Sequence, residues 1–501
     1  MTVAIGQRSR TGVPLDITTG LVLVILGLCA SALVLAFPAA PDGQVGSLWL
    51  SVCGAVGVGC GTFVLTRHRI GMLGSPRWLR IGPLFSLYYA LVFGLFSLGW
   101  LAPQTGVAAL IASSQVPPAV ALTTIGLACW ATGYLLGAPA GVRRVGRSVV
   151  GRMFSGTDWT FRFPSVPIAV YLVGIIAQLE QLRTNQFGYL QNPGAALSSP
   201  SSLGQVTGLL ADFAQFGLIL AALDAFAVSR SLRSRVVLVV LLIAEVADGL
   251  FSGDKENVIV PIISMCVVAV FTYGRLPMRA LLAGVVVVLI VFPSTTAYRA
   301  SIRNASSQSV AAGQASGALV RTLETAILGL TPRTLFVDSP AAVASRLREI
   351  DNVAIIDQKT PSTIPYQPWT DLVVDPAIDW FPRLLWPSKP VLSTGQEFSE
   401  MYYDIPPTVL TASAVTVPGD LLLHGGVVPL GLGMLLLGIV MCAMDVAVDP
   451  SPDYRRLLLF IPLLTMMIYS ESDTTTLLLG VVGTFVAVAV ASWFAFVPRH
   501  S

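Results

Sequence analysis

The chain has 501 residues and a net charge of +3, and 54% of its residues are hydrophobic whereas only 11% are charged. Soluble globular proteins have about 25% charged residues, so this composition is too apolar for a soluble core. The small net charge gives no support to a nucleic-acid partner. All 6 cysteines fall inside apolar runs, so neither a disulfide framework nor a thiolate metal cluster is expected.

The apolar residues are grouped in runs of roughly 20, the length that crosses a hydrocarbon core about 30 Å thick. Backbone in lipid has to be helical, so each run predicts a transmembrane helix. The first run follows a basic start without a clear cleavage site and predicts a retained helix. The twelve predicted spans are 17–37, 47–65, 81–101, 118–137, 165–182, 205–227, 235–251, 257–273, 278–296, 418–443, 456–470 and 474–496.

The basic residues predict the orientation of these helices, because cytoplasmic connections carry the excess of Lys and Arg. Most of the 30 Lys and Arg residues lie at alternate ends of the spans, in clusters such as Arg67–Arg80 and Arg143–Arg162. We therefore expect both termini in the cytoplasm of a bacterium, with the protein in its cytoplasmic membrane. The expected organisation is nine helices in 1–296, an extracytoplasmic loop of 297–417, and three helices in 418–501.

A loop of this length in a compact membrane protein is usually functional or disordered. Ser339 and Pro340 predict a helix start, and the stretch from Gly395 predicts another short helix. The segment 379–387 is aromatic, basic and too short to cross a membrane, which suits the membrane interface. The fold class is thus an all-α polytopic membrane protein whose large outer loop consists of short helices over the mouth of the bundle.

Several charged residues are candidates for chemistry on the outer side. Asp420 and His424 lie four residues apart and are the candidate catalytic pair, since His424 is the one histidine expected outside. The candidate ligands for an anionic substrate are cations near outer helix ends: Arg183, Lys255, Arg299, Arg303, Arg383 and Lys389. Each of these cations has an alternative interpretation as a membrane-interface anchor.

Acidic residues supply a second set of candidates. Asp212, Glu245 and Asp248 fall inside predicted spans, where charged groups usually face a bundle interior or pair for folding. Glu471 and Asp473 are expected to cap a helix rather than bind a cation. No nucleotide-binding loop and no zinc-protease motif is present, so we expect no cofactor and no metal.

The stretch 381–390, FPRLLWPSKP, followed by the Thr/Ser-rich step into the acidic, Gly-containing helix start at 407–431, resembles the Wzy-type polymerases of oligosaccharide repeat units. The resemblance covers roughly residues 180–440, and its Pro-Arg, Trp-Pro and Lys-Pro element is the specific part. Many relatives carry Glu and an Asn-Phe-Gly after it, whereas this chain has Asp420 and His424-Gly-Gly.

The resemblance implies a membrane glycosyltransferase of the GT-C type that joins undecaprenyl-pyrophosphate-linked repeat units into O-antigen, capsular or exopolysaccharide. Partners implied with it are the lipid-linked oligosaccharide, membrane lipid, a flippase and a chain-length regulator. Arginines would stabilise the leaving pyrophosphate, and a carboxylate or neutral histidine would take the acceptor proton.

Two other functions remain open at the level of sequence. A ligase would use the same chemistry to move a finished glycan to a different acceptor, with His424 as the base. A polysaccharide or lipid transporter would belong to a different class, but inverted repeats are not evident in the sequence. The length of lipid-linked oligomers separates these alternatives.

The predicted topology has a direct test. Reporter or cysteine tags at positions 150 and 275 should score as cytoplasmic, and tags at 345 and 395 as external, because the basic clusters hold the first pair inside. A cytoplasmic score at 345 would contradict the placement of the whole loop 297–417.

Overall fold

The computed structural model describes residues 17–37, 43–70, 79–104, 106–154, 159–184, 186–188, 204–275, 339–390, 394–406, 413–469 and 471–498, with scattered positions between 276 and 338. The predicted span 278–296 is described only at scattered positions, and Arg299 and Arg303 lie outside the described residues.

The first half of the chain is a series of helices, most of them apolar. Their bounds are α1 Ile17–Ala36, α2 Gln44–Ile70, α3 Ile81–Tyr89, α4 Val116–Leu136, α5 Ala140–Met153, α6 Val166–Arg183, α7 Gly204–Ala211, α8 Phe213–Leu223, α9 Leu232–Ser252 and α10 Lys255–Tyr273. Helix α3 continues through a π turn, Ala90–Gly94, into a 3-10 helix, Leu95–Leu101. Helix α8 continues through a π turn, Asp224–Val228.

The second half alternates short and long helices. These are α11 Ser339–Arg346, α12 Ile350–Lys359, α13 Asp371–Trp380, α14 Thr394–Tyr403, α15 Val417–Leu423, α16 Val427–Ala447, α17 Leu457–Ile468 and α18 Thr474–Ala495. Short strands β1, Trp159–Phe161, and β2, Phe496–Pro498, pair antiparallel. Among the described residues, 9 helices are long and apolar enough to cross a membrane, so the chain is a helical multi-pass membrane protein.

Most predicted spans coincide with helices, including the hairpin at 235–273. Helix α9 ends at Ser252, Gly253 takes the left-handed conformation with φ of 77°, and α10 begins at Lys255. The predicted span 456–470 differs, because α17 has only 12 residues. At 1.5 Å per residue it is about 18 Å long, shorter than the hydrocarbon core, and most of its side chains are buried in the bundle.

The predicted span 418–443 is wrong as a single helix. The chain forms the short helix α15, turns at His424–Gly426, and then enters the spanning helix α16. Gly425 and Gly426 have φ of 134° and 80°, a region that side-chain-bearing residues rarely adopt. The Tyr366 ring lies so near Gly426 that a Cβ there would come within 2.9 Å of its hydroxyl oxygen. Mean hydropathy over a whole apolar run does not detect such a break, so the pattern predicted one continuous span.

The two ends of the bundle carry different structures, and we call them the loop end and the sheet end. The loop end carries α11–α15 and the connection from α17 to α18. There the Arg348 guanidinium stacks on Trp100 and pairs with Asp351, whose Oδ1 also accepts from Trp100 Nε1 at 2.8 Å. The Glu349 N–H donates to the Val92 carbonyl oxygen at 3.3 Å. The junction between α11 and α12 is therefore held against the extension of α3.

The sheet end carries β1, β2 and the start of α3. Asp445 is 1% exposed and accepts from the N–H groups of Ile81 and Gly82 at 2.9 and 2.8 Å and from the Tyr134 hydroxyl at 2.8 Å. The N–H groups at a helix start lack partners within the helix, so the carboxylate satisfies them. Buried Arg80 pairs with Asp449 at 2.6 Å beside it.

Asp445→Ala should lower the free energy of unfolding by about 3 kcal/mol, because it leaves several buried donors without an acceptor. Thermal unfolding of the detergent-solubilised protein measures this loss. Tyr134→Phe is the matched control and should cost less, since it removes only one of the bonds. Equal melting temperatures for Asp445→Ala and the unaltered protein would contradict this account of the sheet end.

Candidate functional site

A cleft at the loop end lies between α13, α14, α15 and the start of α18. Apolar side chains, among them Phe398 and Met401, line part of it. The ionisable side chains that line it are five acids and one histidine: Asp371, Asp375, Glu397, Asp420, Asp473 and His424. The cleft thus brings the predicted catalytic pair together with acids from three other elements.

Helix α15 places Asp420 and His424 on one face. The Thr416 side chain caps the helix by accepting from the Gly419 N–H at 3.2 Å, and Pro418 occupies its first turn. All residues of α15 are buried, with Gly419 lying against Ile356 of α12. The four-residue spacing then sets the two side chains next to each other.

The pair has the geometry of an oriented histidine. The Nδ1 atom of His424 lies 2.7 Å from the Asp420 carbonyl oxygen and 3.2 Å from its Oδ1. Both neighbours are acceptors, so we assign the proton of the neutral ring to Nδ1, which leaves Nε2 as an acceptor toward the cleft. The second carboxylate oxygen, Oδ2, accepts from the Thr474 N–H at 2.9 Å. Asp420 therefore connects His424 to the start of α18.

The protonation of His424 is set by opposing effects. Burial of the ring lowers its pKa, whereas the Asp420 carboxylate favours the imidazolium, and the net pKa lies above the ordinary value. Burial raises the pKa of Asp375 and that of Asp473, with neighbouring acids adding to the effect. A histidine with a raised pKa can accept a proton near neutral pH, which suits general-base chemistry.

A second polar cluster lies on the other side of the α17–α18 connection. Glu471 accepts from the Tyr469 hydroxyl at 2.8 Å and pairs with Arg346 at 3.2 Å. The buried Glu349 carboxyl hydrogen-bonds Glu471, and burial followed by the Glu471 charge raises the pKa of Glu349 well above its usual range. Burial and the neighbouring Glu471 charge therefore favour the neutral form of the Glu349 carboxyl. Tyr88 also faces the pair.

Two of the predicted cations, Arg383 and Lys389, do not join the dyad in the cleft. Arg383 is buried and donates from Nη1 and Nη2 to the carbonyl oxygens of Lys389 and Pro390, at 2.6 and 2.8 Å. Lys389 pairs with Asp379 at 2.6 Å and donates to the Asp379 carbonyl oxygen at 2.8 Å. Both side chains hold the 379–390 turn closed and do not line the cleft.

Of the other predicted cations, Arg183 is the one whose side chain is described. Arg183 is exposed at the end of α6 and pairs with Glu180 one turn earlier. It does not neutralise the acids predicted to lie in the membrane. Of those, Glu245 is 9% exposed and faces the interior, close to Tyr171. Lys255 begins α10, but its side chain lies outside the described residues, as do Arg299 and Arg303.

An apolar surface borders the cleft, and we call it the interfacial surface. It is formed by exposed side chains of α13, the segment before it and the turn after it: Trp369, Val373, Trp380, Phe381 and Leu385. Gln205 at the start of α7 bonds this turn, donating to the Asp379 carbonyl oxygen at 3.3 Å and accepting from the Arg383 N–H at 3.0 Å. Helix α13 also packs on α18. The aromatic side chains therefore lie at the level of spanning-helix ends, as expected at a membrane interface.

Sequence reasoning identified the dyad and the interfacial turn but missed the Glu349–Glu471–Arg346 cluster. Arg346 and Glu471 are 125 residues apart, and a single sequence carries no signal for such a contact. Asp473 was expected to cap a helix, and this is confirmed, since its Oδ1 accepts from the Thr476 N–H at 2.8 Å. Its position on the wall of the cleft followed from no local pattern.

Asp420→Asn should lower the pKa of His424 below its ordinary value, because burial then acts without the opposing carboxylate. Diethyl pyrocarbonate modifies neutral imidazole, so the pH at which His424 becomes reactive should fall, as measured by mass spectrometry of its peptide. Asp371 raises the pKa of His424 less than Asp420 does, so Asp371→Asn should shift that pH less. An unchanged pH in Asp420→Asn would mean that another group controls the ring.

Comparison with known proteins gives one match. The model of a domain of unknown function, DUF8712, matches residues 192–448, which is just over half of the chain and includes α15 with its dyad. No curated protein and no solved structure matches the chain. The extent of the match establishes that the chain belongs to the DUF8712 family.

Proposed function

We propose that the chain is a membrane glycosyltransferase that polymerises undecaprenyl-pyrophosphate-linked oligosaccharide repeat units, like the Wzy-type polymerases that it resembles. The observation that carries the proposal is the Asp420–His424 dyad, which opens into a cleft beside the interfacial surface. A lipid-linked glycan needs both features, since its polyprenyl tail stays in the bilayer while its sugars react in water.

The dyad supplies the proton transfer that the reaction requires. An acceptor hydroxyl attacks the anomeric carbon of the donor while the bond from that carbon to the pyrophosphate oxygen breaks. Nε2 of His424 takes the hydroxyl proton, and the pyrophosphate leaves with the bonding electron pair. Asp420 is a positioning residue in this step, because it fixes the ring and stabilises the imidazolium that forms.

The acidic cleft repels the anionic pyrophosphate, so the leaving group needs cationic ligands from other residues. Arg383 is a poor ligand for it, since its terminal nitrogens already donate to backbone carbonyls. We assign the leaving pyrophosphate instead to Arg299 and Arg303, which follow the predicted ninth span, and to Lys255 at the start of α10. Arginine suits this role because its planar fork matches phosphate oxygens.

Topology and location form part of the same proposal. We place the loop end on the outer face of a bacterial cytoplasmic membrane, with both termini in the cytoplasm. The 9 candidate spans would be completed by α9, by the short helix α17 and by the predicted span 278–296, giving a GT-C-like arrangement of twelve helices. The exposed arginines of α5, at the opposite end of the bundle, favour this orientation.

A ligase is the second candidate, and the same dyad supports it. Transfer of a finished glycan to another acceptor needs the same base, so the two activities differ in their products. A polymerase lengthens lipid-linked chains, whereas a ligase moves chains of unchanged length from the lipid to the acceptor.

His424→Ala should abolish long glycan, since loss of a general base typically lowers a rate by about 10²–10⁴-fold. Asp420→Asn should retain partial activity because the base remains. The measurement is the length distribution of lipid-linked oligosaccharide on gels, in cells whose own copy of the gene is deleted. The control is Arg152→Ala, an exposed residue of α5 at the sheet end, which should be nearly silent.

Three results would count against the polymerase. Equal profiles for His424→Ala and Arg152→Ala would remove the dyad from the mechanism. Lipid-linked chains of normal length that fail to reach an acceptor would indicate the ligase. Short repeat units retained on the inner face would indicate a transporter.

A further inference from the structure

Helix α5 lies at the sheet end, next to the point where α4 finishes. Only residues 137–139 separate it from Leu136, the last residue of α4. A connection this short spans about 14 Å at most, so α5 begins near the level at which α4 ends. With 14 residues α5 is about 21 Å long, too short to cross a bilayer. Its position is therefore the membrane interface.

One side of α5 packs against the ends of other helices. A Cβ at Gly146 would lie 3.2 Å from the Cβ of Ala447, the last residue of α16, and Val150 is fully buried. The carbonyl oxygen of Phe154, directly after α5, accepts from Arg455 Nη2 at 3.1 Å. Helix α5 thus runs from the end of α4, past the end of α16, to the residues before α17. It lies across the spanning helices rather than alongside them.

The rest of the α5 surface is divided into an apolar face and a basic face. The apolar face carries three valines, each at least 42% exposed and spaced three or four residues apart: Val142, Val145 and Val149. The basic face carries three exposed arginines: Arg143, Arg144 and Arg147. At 3.6 residues per turn the two sets fall on opposite sides of the helix. Such a division is typical of a helix that lies in the interface with its apolar side among acyl chains.

The charge of the basic face is not compensated within the described part of the chain. Helix α5 contains neither Asp nor Glu, and no described carboxylate pairs with the three arginines. Other arginines at the sheet end do have partners, since Arg80 pairs with Asp449 at 2.6 Å and Arg455 pairs with Asp453 at 2.7 Å. The basic face is therefore complementary to an anionic surface. The exposed valines favour a lipid as that surface, because a soluble acidic ligand would leave them in water.

We propose that α5 is an in-plane helix that binds anionic phospholipids in the leaflet at the sheet end. The valines of the apolar face lie among the acyl chains, and the arginines of the basic face bind lipid phosphates, whose oxygens match the guanidinium fork. Each arginine near an anionic surface strengthens binding by about fivefold. This inference requires only that α4 and α16 span the membrane, so it does not rest on the proposed enzymatic activity.

Hydrogen–deuterium exchange of the full-length protein in nanodiscs tests the proposal. Nanodiscs of phosphatidylcholine alone are compared with nanodiscs of equal parts phosphatidylcholine and phosphatidylglycerol. The amides of α5 should exchange more slowly with the anionic lipid, by about fivefold for each arginine bound, whereas those of α12 at the loop end should not change. High salt should reduce the difference, because salt screens surface charge.

Charge-matched variants separate α5 from other arginines of the chain. Arg144→Gln/Arg147→Gln removes two charges from the basic face and should reduce the difference between the two lipids by about fivefold for each charge. Arg233→Gln/Arg235→Gln removes two exposed charges at the start of α9 and should preserve the difference.

A second pair of variants tests the apolar face. Val145→Asn should speed the exchange of α5 in both kinds of nanodisc, since a polar amide then lies among acyl chains. Ser148→Asn changes an exposed position outside the apolar face and should leave the exchange as it is. Val, Ser and Asn have similar helix propensities, so the comparison reports on the surroundings of each side chain.

Three results would overturn the inference. Equal exchange of α5 in the two kinds of nanodisc would show that lipid charge has no effect on it. Equal loss of the lipid difference in the two double-arginine variants would remove the basic face from the contact. Equal exchange of Val145→Asn and Ser148→Asn would place the valines in water or against another protein instead of in lipid.

Discussion

The close contact between α4 and α16 is the constraint on which both ends of the molecule depend. A Cβ at Gly133 would lie 2.0 Å from the Leu435 carbonyl oxygen, and a Cβ at Gly438 would lie 2.1 Å from that of Trp130. Only glycine permits the two backbones to approach so closely, which is how helices in lipid gain packing contacts. The approach brings Asp445 of α16 to the Tyr134 hydroxyl at one end. At the other end it fixes where α16 begins, and therefore where the His424–Gly426 turn lies.

The turn before α16 determines where Asp420 and His424 lie. Without the left-handed glycines, α15 would continue straight into the membrane, and Asp420 and His424 would enter the lipid with it. The break instead keeps α15 at the end of the bundle, where it packs against α12 and borders the cleft on one side. His424 immediately precedes the two glycines, so the turn that they form also places the histidine at the cleft. This also explains why the structure tolerates a polar pair so close to a spanning helix.

Hydropathy was sufficient to predict most of the fold, because a spanning helix is defined by its own composition. The i, i+4 spacing was sufficient to predict that Asp420 and His424 meet, because that contact is local. Features that depend on other segments were missed. The predicted span 456–470 coincides with helix α17, but its hydropathy did not reveal that most side chains of this short helix are buried inside the bundle. Arg383 was expected to bind substrate, but the sequence does not specify which acceptor an arginine uses. Its partners are carbonyl oxygens of its own turn.

The connection from α17 to α18 determines how charge is distributed over the loop end. Glu471 and Asp473 are two residues apart in the turn before α18, yet their carboxyl groups have different partners. Glu471 joins Arg346 and Glu349, whereas Asp473 lines the cleft. Arg346 is thereby kept with Glu471, which leaves the dyad in an acidic environment. The N–H groups at the start of α18 complete the arrangement, because Asp473 accepts from Thr476 and Asp420 accepts from Thr474. Those donors have no partner within their own helix, so two carboxylates from different segments are drawn to the same helix end. The orientation of His424 is consequently set by two spanning helices, α16 and α18, rather than by the loop that covers it.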